Sequence, residues 1–287
     1  QELKMSKVVM HYILIIILEC FLSSVLFSAQ TSPIFKDRTT ELGLTIGADA
    51  ACWVDFDNDG FTDLCTSGAL WKNNGAKNFT KTADMANVVA GDFDNDGYVD
   101  FFSWSSLKLY HNNNGKDFSE TKLPDLPACV SRGACWGDFN KDGYIDLYIG
   151  GYEDWDKNIT YPSMILMNEK GGGFKLVWTE SQHRSRGITA CDFDRDGDLD
   201  IYVSNYRLQP NQLWMNDGFG RFTDVALECN VLATSPGFEG GHSIGSAWGD
   251  FDNDGLMDLF AGNFAHVDDR GDQPKSRFLK NMGREKG

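Results

Sequence analysis

The sequence predicts an all-β protein: a β-propeller of four-stranded blades. Three observations predict it. An acidic nine-residue loop recurs five times, short apolar and aromatic runs flank every copy, and Gly-rich turns close each unit. The loops begin at Asp55, Asp92, Asp138, Asp192 and Asp250, so successive starts lie 37, 46, 54 and 58 residues apart. That period is the size of a blade and lengthens through inserted loops.

Each unit reads as four strands in order. The first is small and aromatic: Ala51-Cys52-Trp53, Val88-Val89-Ala90, Ala134-Cys135-Trp136, Ile188-Thr189-Ala190 and Ser246-Ala247-Trp248. The second follows the acidic loop and is rich in β-formers, as in Ile145-Asp146-Leu147-Tyr148-Ile149. The third ends in Asn at Asn73, Asn112, Asn168, Asn216 and Asn281. The fourth follows a Gly turn, as in Arg221-Phe222-Thr223-Asp224-Val225. Only four internal copies of the fourth strand exist. Phe35-Lys36-Asp37 resembles Phe222-Thr223-Asp224, so an N-terminal strand completing the last blade would close a five-bladed ring. The polar terminus after Met282 instead favours a fragment of a longer propeller, with residues 30–287 as its C-terminally incomplete repeat region.

The loops carry the chemistry. Each has the form D-x-[DN]-x-D-G-x-x-D, with side-chain oxygens at positions 1, 3, 5 and 9 and a backbone carbonyl at position 7. The expected ligands are Asp55, Asp57, Asp59, Phe61 and Asp63; Asp92, Asp94, Asp96, Tyr98 and Asp100; Asp138, Asn140, Asp142, Tyr144 and Asp146; Asp192, Asp194, Asp196, Asp198 and Asp200; and Asp250, Asp252, Asp254, Leu256 and Asp258. Ca²⁺ takes six to eight oxygens, whereas Mg²⁺ prefers fewer protein ligands and more water. Four carboxylates within nine residues repel each other without a cation. One ion per loop gives about five Ca²⁺ ions. The third loop is the weakest, because Asn140 replaces an Asp. An EF-hand would need Glu at position 12 and a following helix; here position 9 is Asp and strand residues follow.

Composition sets the compartment and the partners. The 287 residues carry a formal charge of −16, which repels nucleic acid. Residues 8–26 are almost wholly apolar, Lys7 precedes them and Ser28-Ala29 follow. This predicts a signal peptide over residues 1–29, with Met5 a candidate start, and no membrane span after its removal. Six cysteines remain: Cys52, Cys65, Cys129, Cys135, Cys191 and Cys229. An even count in a secreted chain points to disulfides. A bridge across the first loop (Cys52 to Cys65) and a local one (Cys129 to Cys135) are the candidate pairings, with free thiols as the alternative. Asn78 and Asn158 head N-x-T acceptors for glycans.

The G-D-F-[DN]-x-D-G loops and W-x-N-x-G segments, with Phe35, Asp37, Thr39, Gly43 and Leu44 forming F-x-D-x-T-x-x-x-G-L, resemble FG-GAP/VCBS repeats, the calcium-bearing blades of integrin-α-type propellers. Within that group they are similar to the family of cartilage acidic protein 1 (ASPIC/UnbV type). The resemblance spans nearly all of residues 34–283. It implies a secreted extracellular-matrix glycoprotein with a calcium-loaded propeller of about seven blades.

Arg270-Gly271-Asp272 is an RGD tripeptide that would present Arg and Asp to an integrin from an exposed loop. His183-Arg184-Ser185-Arg186 and Gly240-Gly241-His242-Ser243 precede acidic loops and read as surface or packing residues. Trp53, Trp136 and Trp248, on the repeated first strands, read as core. No nucleophile elbow, P-loop or dinucleotide fingerprint occurs. The reading is therefore a non-enzymatic, secreted adhesion-type protein. Calcium rigidifies its blades, and its faces bind extracellular proteins or glycans. The alternative is a calcium-dependent carbohydrate-binding protein or lyase-type enzyme on the same repeat.

Overall fold

A computed structural model describes residues 35–47, 50–180, 182–235, 237–264 and 274–283. The leader and Arg270-Gly271-Asp272 lie outside the described residues. The chain divides into a unit ending at Glu41 and a unit from Leu42 onward. In the first, residues 35–41 form a turn in which Asp37 accepts from the Thr39 N–H at 2.9 Å, and no strand.

The second unit is all β, five antiparallel sheets succeeding one another around a ring as a five-bladed propeller. Blade 1 is β1 (Ala51–Val54), β2 (Asp63–Thr66), β3 (Ala69–Asn73) and β4 (Phe79–Ala83). Blade 2 is β5 (Val88–Gly91), β6 (Asp100–Ser103), β7 (Lys108–Asn112) and β8 (Phe118–Thr121). Blade 3 is β9 (Ser131–Gly137), β10 (Asp146–Gly151), β13 (Ser163–Asn168) and β14 (Phe174–Glu180), with a small hairpin, β11 (Glu153–Asp154) and β12 (Ile159–Thr160), between its second and third strands. Blade 4 is β15 (Ser185–Cys191), β16 (Asp200–Asn205), β17 (Gln212–Asn216) and β18 (Phe222–Asp224). Blade 5 is β19 (Ser243–Gly249), β20 (Asp258–Asn263) and β21 (Arg277–Leu279), with no fourth strand among the described residues. In every blade the acidic loop joins the first strand to the second.

The second strands are covered on both faces, which is why β2, β6, β10 and β16 are buried throughout. One core lies between each pair of successive blades. Phe56, Leu70 and Phe101 meet between blades 1 and 2, and Phe93, Leu109 and Leu147 between blades 2 and 3. Phe139, Tyr148 and Ile201 meet between blades 3 and 4, and Phe193, Tyr202 and Leu259 between blades 4 and 5. In blades 1 to 4 the Phe at loop position 2 points into the core shared with the following blade, a burial worth about 2 kcal/mol. Phe251, at that position in blade 5, is 57% exposed.

The repeated Trp follows the opposite direction. The Trp136 indole N–H donates to the Val89 carbonyl and that of Trp248 to Thr189 Oγ1, each in the preceding blade. Trp53 lies in blade 1, before which no blade stands among the described residues. It is 64% exposed, so the expectation that it is core is corrected.

In blades 2 to 5 the Asn at or just after the end of the third strand is a joint to the preceding blade. Asn112 Nδ2 donates to the carbonyl of Phe56 at 2.7 Å, Asn168 to Phe93 at 2.7 Å, Asn216 to Phe139 at 2.8 Å and Asn281 to Phe193 at 2.8 Å. Each acceptor is in the loop of the preceding blade. A second bond from the same amide reaches the Asn's own blade, as from Asn168 to Ile145 at 2.9 Å. Asn73 donates only within blade 1, to the Thr62 carbonyl at 3.0 Å. Removing a buried donor strands the acceptor it served. Asn168→Ala is expected to lower unfolding free energy by about 3 kcal/mol and Asn73→Ala by roughly half as much, measured by urea denaturation. Equal losses would show that the bond between blades contributes nothing.

Candidate metal centres

The five loops share one backbone form. Gly60, Gly97, Gly143, Gly197 and Gly255 have φ between 85° and 89°, a conformation that costs glycine little. The position-1 carboxylate then caps the turn. Its Oδ2 accepts from the Gly N–H at 2.9 Å in the loops of Asp55, Asp92 and Asp138, at 3.1 Å for Asp192 and at 2.8 Å for Asp250. The position-5 carboxylate accepts from the N–H of position 7, at 2.8–3.0 Å in all five. The side chains thus face one centre, while the N–H groups are satisfied from behind.

Position 9 does more than the sequence pattern reveals. Asp63, Asp100, Asp146, Asp200 and Asp258 are at most 1% exposed. One oxygen of each accepts from the N–H of the position-2 Phe. The other accepts from the N–H of the strand-end Asn, at 2.7 Å for Asp146 and Asn168. This carboxylate joins loop, second strand and third strand. Burial pushes the Asp100 and Asp146 carboxyls up to about 6 and that of Asp200 up to about 7, with the backbone N–H bonds pulling the other way.

Carboxylates converge in four of the loops, their ligand atoms within 4.8 Å of one another: Asp55, Asp57 and Asp63; Asp92, Asp94 and Asp96; Asp192, Asp194 and Asp200; and Asp250, Asp252 and Asp254. Asp57 Oδ1 and Asp192 Oδ1 are buried without a hydrogen-bond partner, a costly state for a carboxylate and one that a cation relieves. An oxygen-only set with such atoms fits Ca²⁺. The third loop forms no such cluster, and Asn140 Oδ1 there accepts from the Asp142 N–H.

Residues 92–149 and 192–261, which hold four of the five loops, match the FG-GAP-like repeat. Over these two stretches the chain is similar to FG-GAP-like repeats. No curated protein matches it. Among solved structures it is similar to an exo-β-1,3-galactanase from Phanerochaete chrysosporium solved with β-1,3-galactotriose, at 12% identity and a TM-score of 0.42 over 69% of this chain and 47% of that one. It is also similar to the V. cholerae biofilm matrix protein Bap1, at 14% identity and a TM-score of 0.41 over 74% of this chain and 34% of that one. The chain thus spans about half of the first and a third of the second.

The acidic loops are linked to one another by position 4, which has φ of 57–62° in every copy. Asn58 Nδ2 donates to the Gly97 carbonyl and Asn95 Nδ2 to the Gly143 carbonyl, each at 2.9 Å in the next loop. Lys141 pairs with Asp198. The loops differ at the residue preceding the strand-end Asn, a signal absent from the loop motif. Lys72 places its ammonium against Asp57 and, at 3.0 Å, Asp59; Lys280 does the same with Asp252 and, at 3.2 Å, Asp254. In the second loop His111 Nδ1 lies 3.3 Å from both Asp94 and Asp100. Met167 and Met215 hold that place in the third and fourth. The first and fifth acidic loops therefore carry a cation of their own.

The remaining expected residues are placed as follows. All six cysteines are thiols. Cys52 and Cys65 stand opposite each other in β1 and β2, with their thiols in contact. Cys129 donates to the Pro162 carbonyl at 3.5 Å and packs in a different core from Cys135, so the expected local bridge between them is not formed. Burial pushes the thiols of Cys129, Cys135 and Cys191 up to about 12, which leaves them unreactive. Asn78 and Asn158 are exposed. Among the described residues no helix is long and apolar enough to cross a membrane.

Two outcomes follow from these loops. The raised carboxyls of Asp100, Asp146 and Asp200 favour the protonated folded state, so their contribution is full below the unfolded value near pH 4 and is lost as pH rises through 6 to 7. In chelator the melting temperature is expected to fall between pH 5 and pH 8, and calcium is expected to reverse that slope. Lys72→Met is expected to tighten calcium binding at the first loop about tenfold in calorimetric titration while destabilising the metal-free protein, because it removes the resident cation.

Proposed function

We propose that this protein is a secreted, calcium-braced repeat protein of the matrix or adhesion type, whose propeller faces bind other extracellular proteins or glycans. The observation that carries the reading is the convergence of oxygen ligands in successive FG-GAP-like loops, with buried carboxylate oxygens that no protein group satisfies. A calcium ion there neutralises Asp at positions 1, 3 and 5 and ties the loop to the buried Asp at position 9. Both strands it joins then become one rigid hairpin. The exposed acceptors Asn78 and Asn158 agree with passage through the secretory pathway.

Binding is favoured over catalysis because the carboxylate clusters sit in loops whose backbone bonds orient them toward a cation. Proton transfer to a substrate would need such a group free of that task. The fourth loop, with Asp192, Asp194 and Asp200 converging and Met215 in the place of a lysine, is the strongest site. Among the four loops whose carboxylates converge, the first and fifth are the weakest, since a lysine already lies in each.

An ion that binds only the folded state raises its stability by mass action. Chelator is expected to lower the melting temperature of the full chain sharply. Elemental analysis is expected to find at least three ions, with the first and fifth loops filling last, and Asp94→Ala is expected to remove one site alone. Melting unchanged by chelator would refute the calcium reading.

A further inference from the structure

The third and fourth blades carry a second repeated element, at the ends of the inner strands remote from the acidic loops. Ser131-Arg132-Gly133 opens β9 and Ser185-Arg186-Gly187 opens β15. Tyr152 and Tyr206 follow β10 and β16 at equivalent places, each held by its N–H, to the Val130 carbonyl at 2.8 Å and the Arg184 carbonyl at 2.9 Å. The fifth blade has Ile244 and Phe264 at these positions. The combination of Arg and Tyr is therefore not a requirement of the blade.

The four side chains form a ladder. The Arg132 guanidinium lies 5.6 Å from the Tyr152 ring, Arg186 lies 5.8 Å from Tyr152 and 4.9 Å from Tyr206, and the Tyr206 ring meets that of His242 at 4.7 Å. Stacking on rings fixes a guanidinium while leaving its N–H edge unspent. Neither Arg132 nor Arg186 makes an ion pair among the described residues, in a chain where acids outnumber bases by 42 to 26. Arg132 is exposed and Arg186 half-buried.

A buttress stands beside the ladder. Glu153, 8% exposed, spends one oxygen on Arg184 Nε and the other on Arg207 Nε, both at 2.6 Å. Arg207 in turn covers one face of Trp155 at 3.5 Å. Trp155 is still 67% exposed, so the rest of its indole is open to solvent at the turn of the β11–β12 hairpin. Glu153 is thus consumed by the two flanking arginines, and Asp154 of the same hairpin pairs with Lys157, which leaves exposed Asp156 as the acid beside Trp155. Arg132 and Arg186 keep guanidiniums without an ion pair among the described residues, beside exposed aromatic surface.

We propose that this face binds an anionic oligosaccharide, with Arg132 and Arg186 taking its carboxylate or sulfate groups and Trp155 stacking on a sugar ring. A guanidinium edge matches both oxyanions in bidentate fashion. An exposed aromatic ring favours a pyranose over a peptide carboxylate, which brings no flat apolar face to it. The assignment rests on the extracellular binding role above but not on calcium, since the ladder lies at the opposite ends of the strands from the ions.

The test is calorimetric titration of the full chain, in calcium, with a sulfated heparin-type hexasaccharide, an oligogalacturonate of equal length, neutral maltohexaose and a polyglutamate peptide. At least one anionic glycan is expected to bind, more weakly as salt rises, and the neutral sugar and the peptide at least about tenfold more weakly. Which of the two glycans binds identifies sulfate or carboxylate as the ligand group. Arg132→Gln, exposed and harmless to folding, and the double variant with Arg186→Gln are expected to weaken binding progressively, to about tenfold in the double variant at unchanged melting temperature. Trp155→Ala is expected to erase the preference for sugar over peptide. Failure of both glycans to bind, polyglutamate binding as tightly as they do, or full affinity in Arg132→Gln would overturn the proposal. Melting that ignores chelator would instead refute the calcium reading and leave this one standing.

Discussion

The buried aspartate at the ninth loop position is the constraint on which the rest depends. Its two oxygens take the N–H groups of the loop Phe and of the strand-end Asn. Those two residues are the ones that reach outside the blade. The Phe ring fills the core toward the following blade, and its carbonyl receives the amide of the following Asn. One carboxylate therefore fixes the acidic turn, the strand pair and the joint to the neighbouring blade. A carboxyl with no exposure is raised toward neutrality by desolvation. A cation in the loop would lower the cost of keeping it charged and so would couple metal binding to the joint through one side chain.

Much of this was legible in the sequence, because the repeat shows five copies of one solution. The strand order and the loop between first and second strands follow from period and pattern. The strand-end Asn was visible as a marker, but its role was not. Its acceptors are 56 to 88 residues away, and no local pattern encodes a bond of that span. Trp53 failed for a related reason. Its equivalents Trp136 and Trp248 are covered by the preceding blade, and identical neighbours in sequence do not supply one. The β11–β12 hairpin was missed because strands two residues long leave no periodicity.

The acidic loops look equivalent in the motif and are not equivalent in space. What distinguishes them lies one strand away, at Lys72, His111, Met167, Met215 and Lys280. A charge opposite the carboxylates alters their demand for a metal without changing any ligand. The same economy governs the far face. There Glu153 satisfies Arg184 and Arg207, while Arg132 and Arg186 are held by aromatic rings and keep their donors. A strongly acidic chain thereby keeps a small basic surface at a distance from its acidic loops.

The joints made by the strand-end Asn all run one way. Each repeat carries the amide that grips its predecessor and the carbonyl that its successor grips. Copying one repeat within the gene copies both halves of the fastening, already matched. Such an array can lengthen by duplication without first evolving a new interface, and the loops that join its strands are free to diverge afterwards. The uneven spacing of the five loops, with a hairpin inserted in one blade and a basic ladder confined to two, is the form that this freedom takes here.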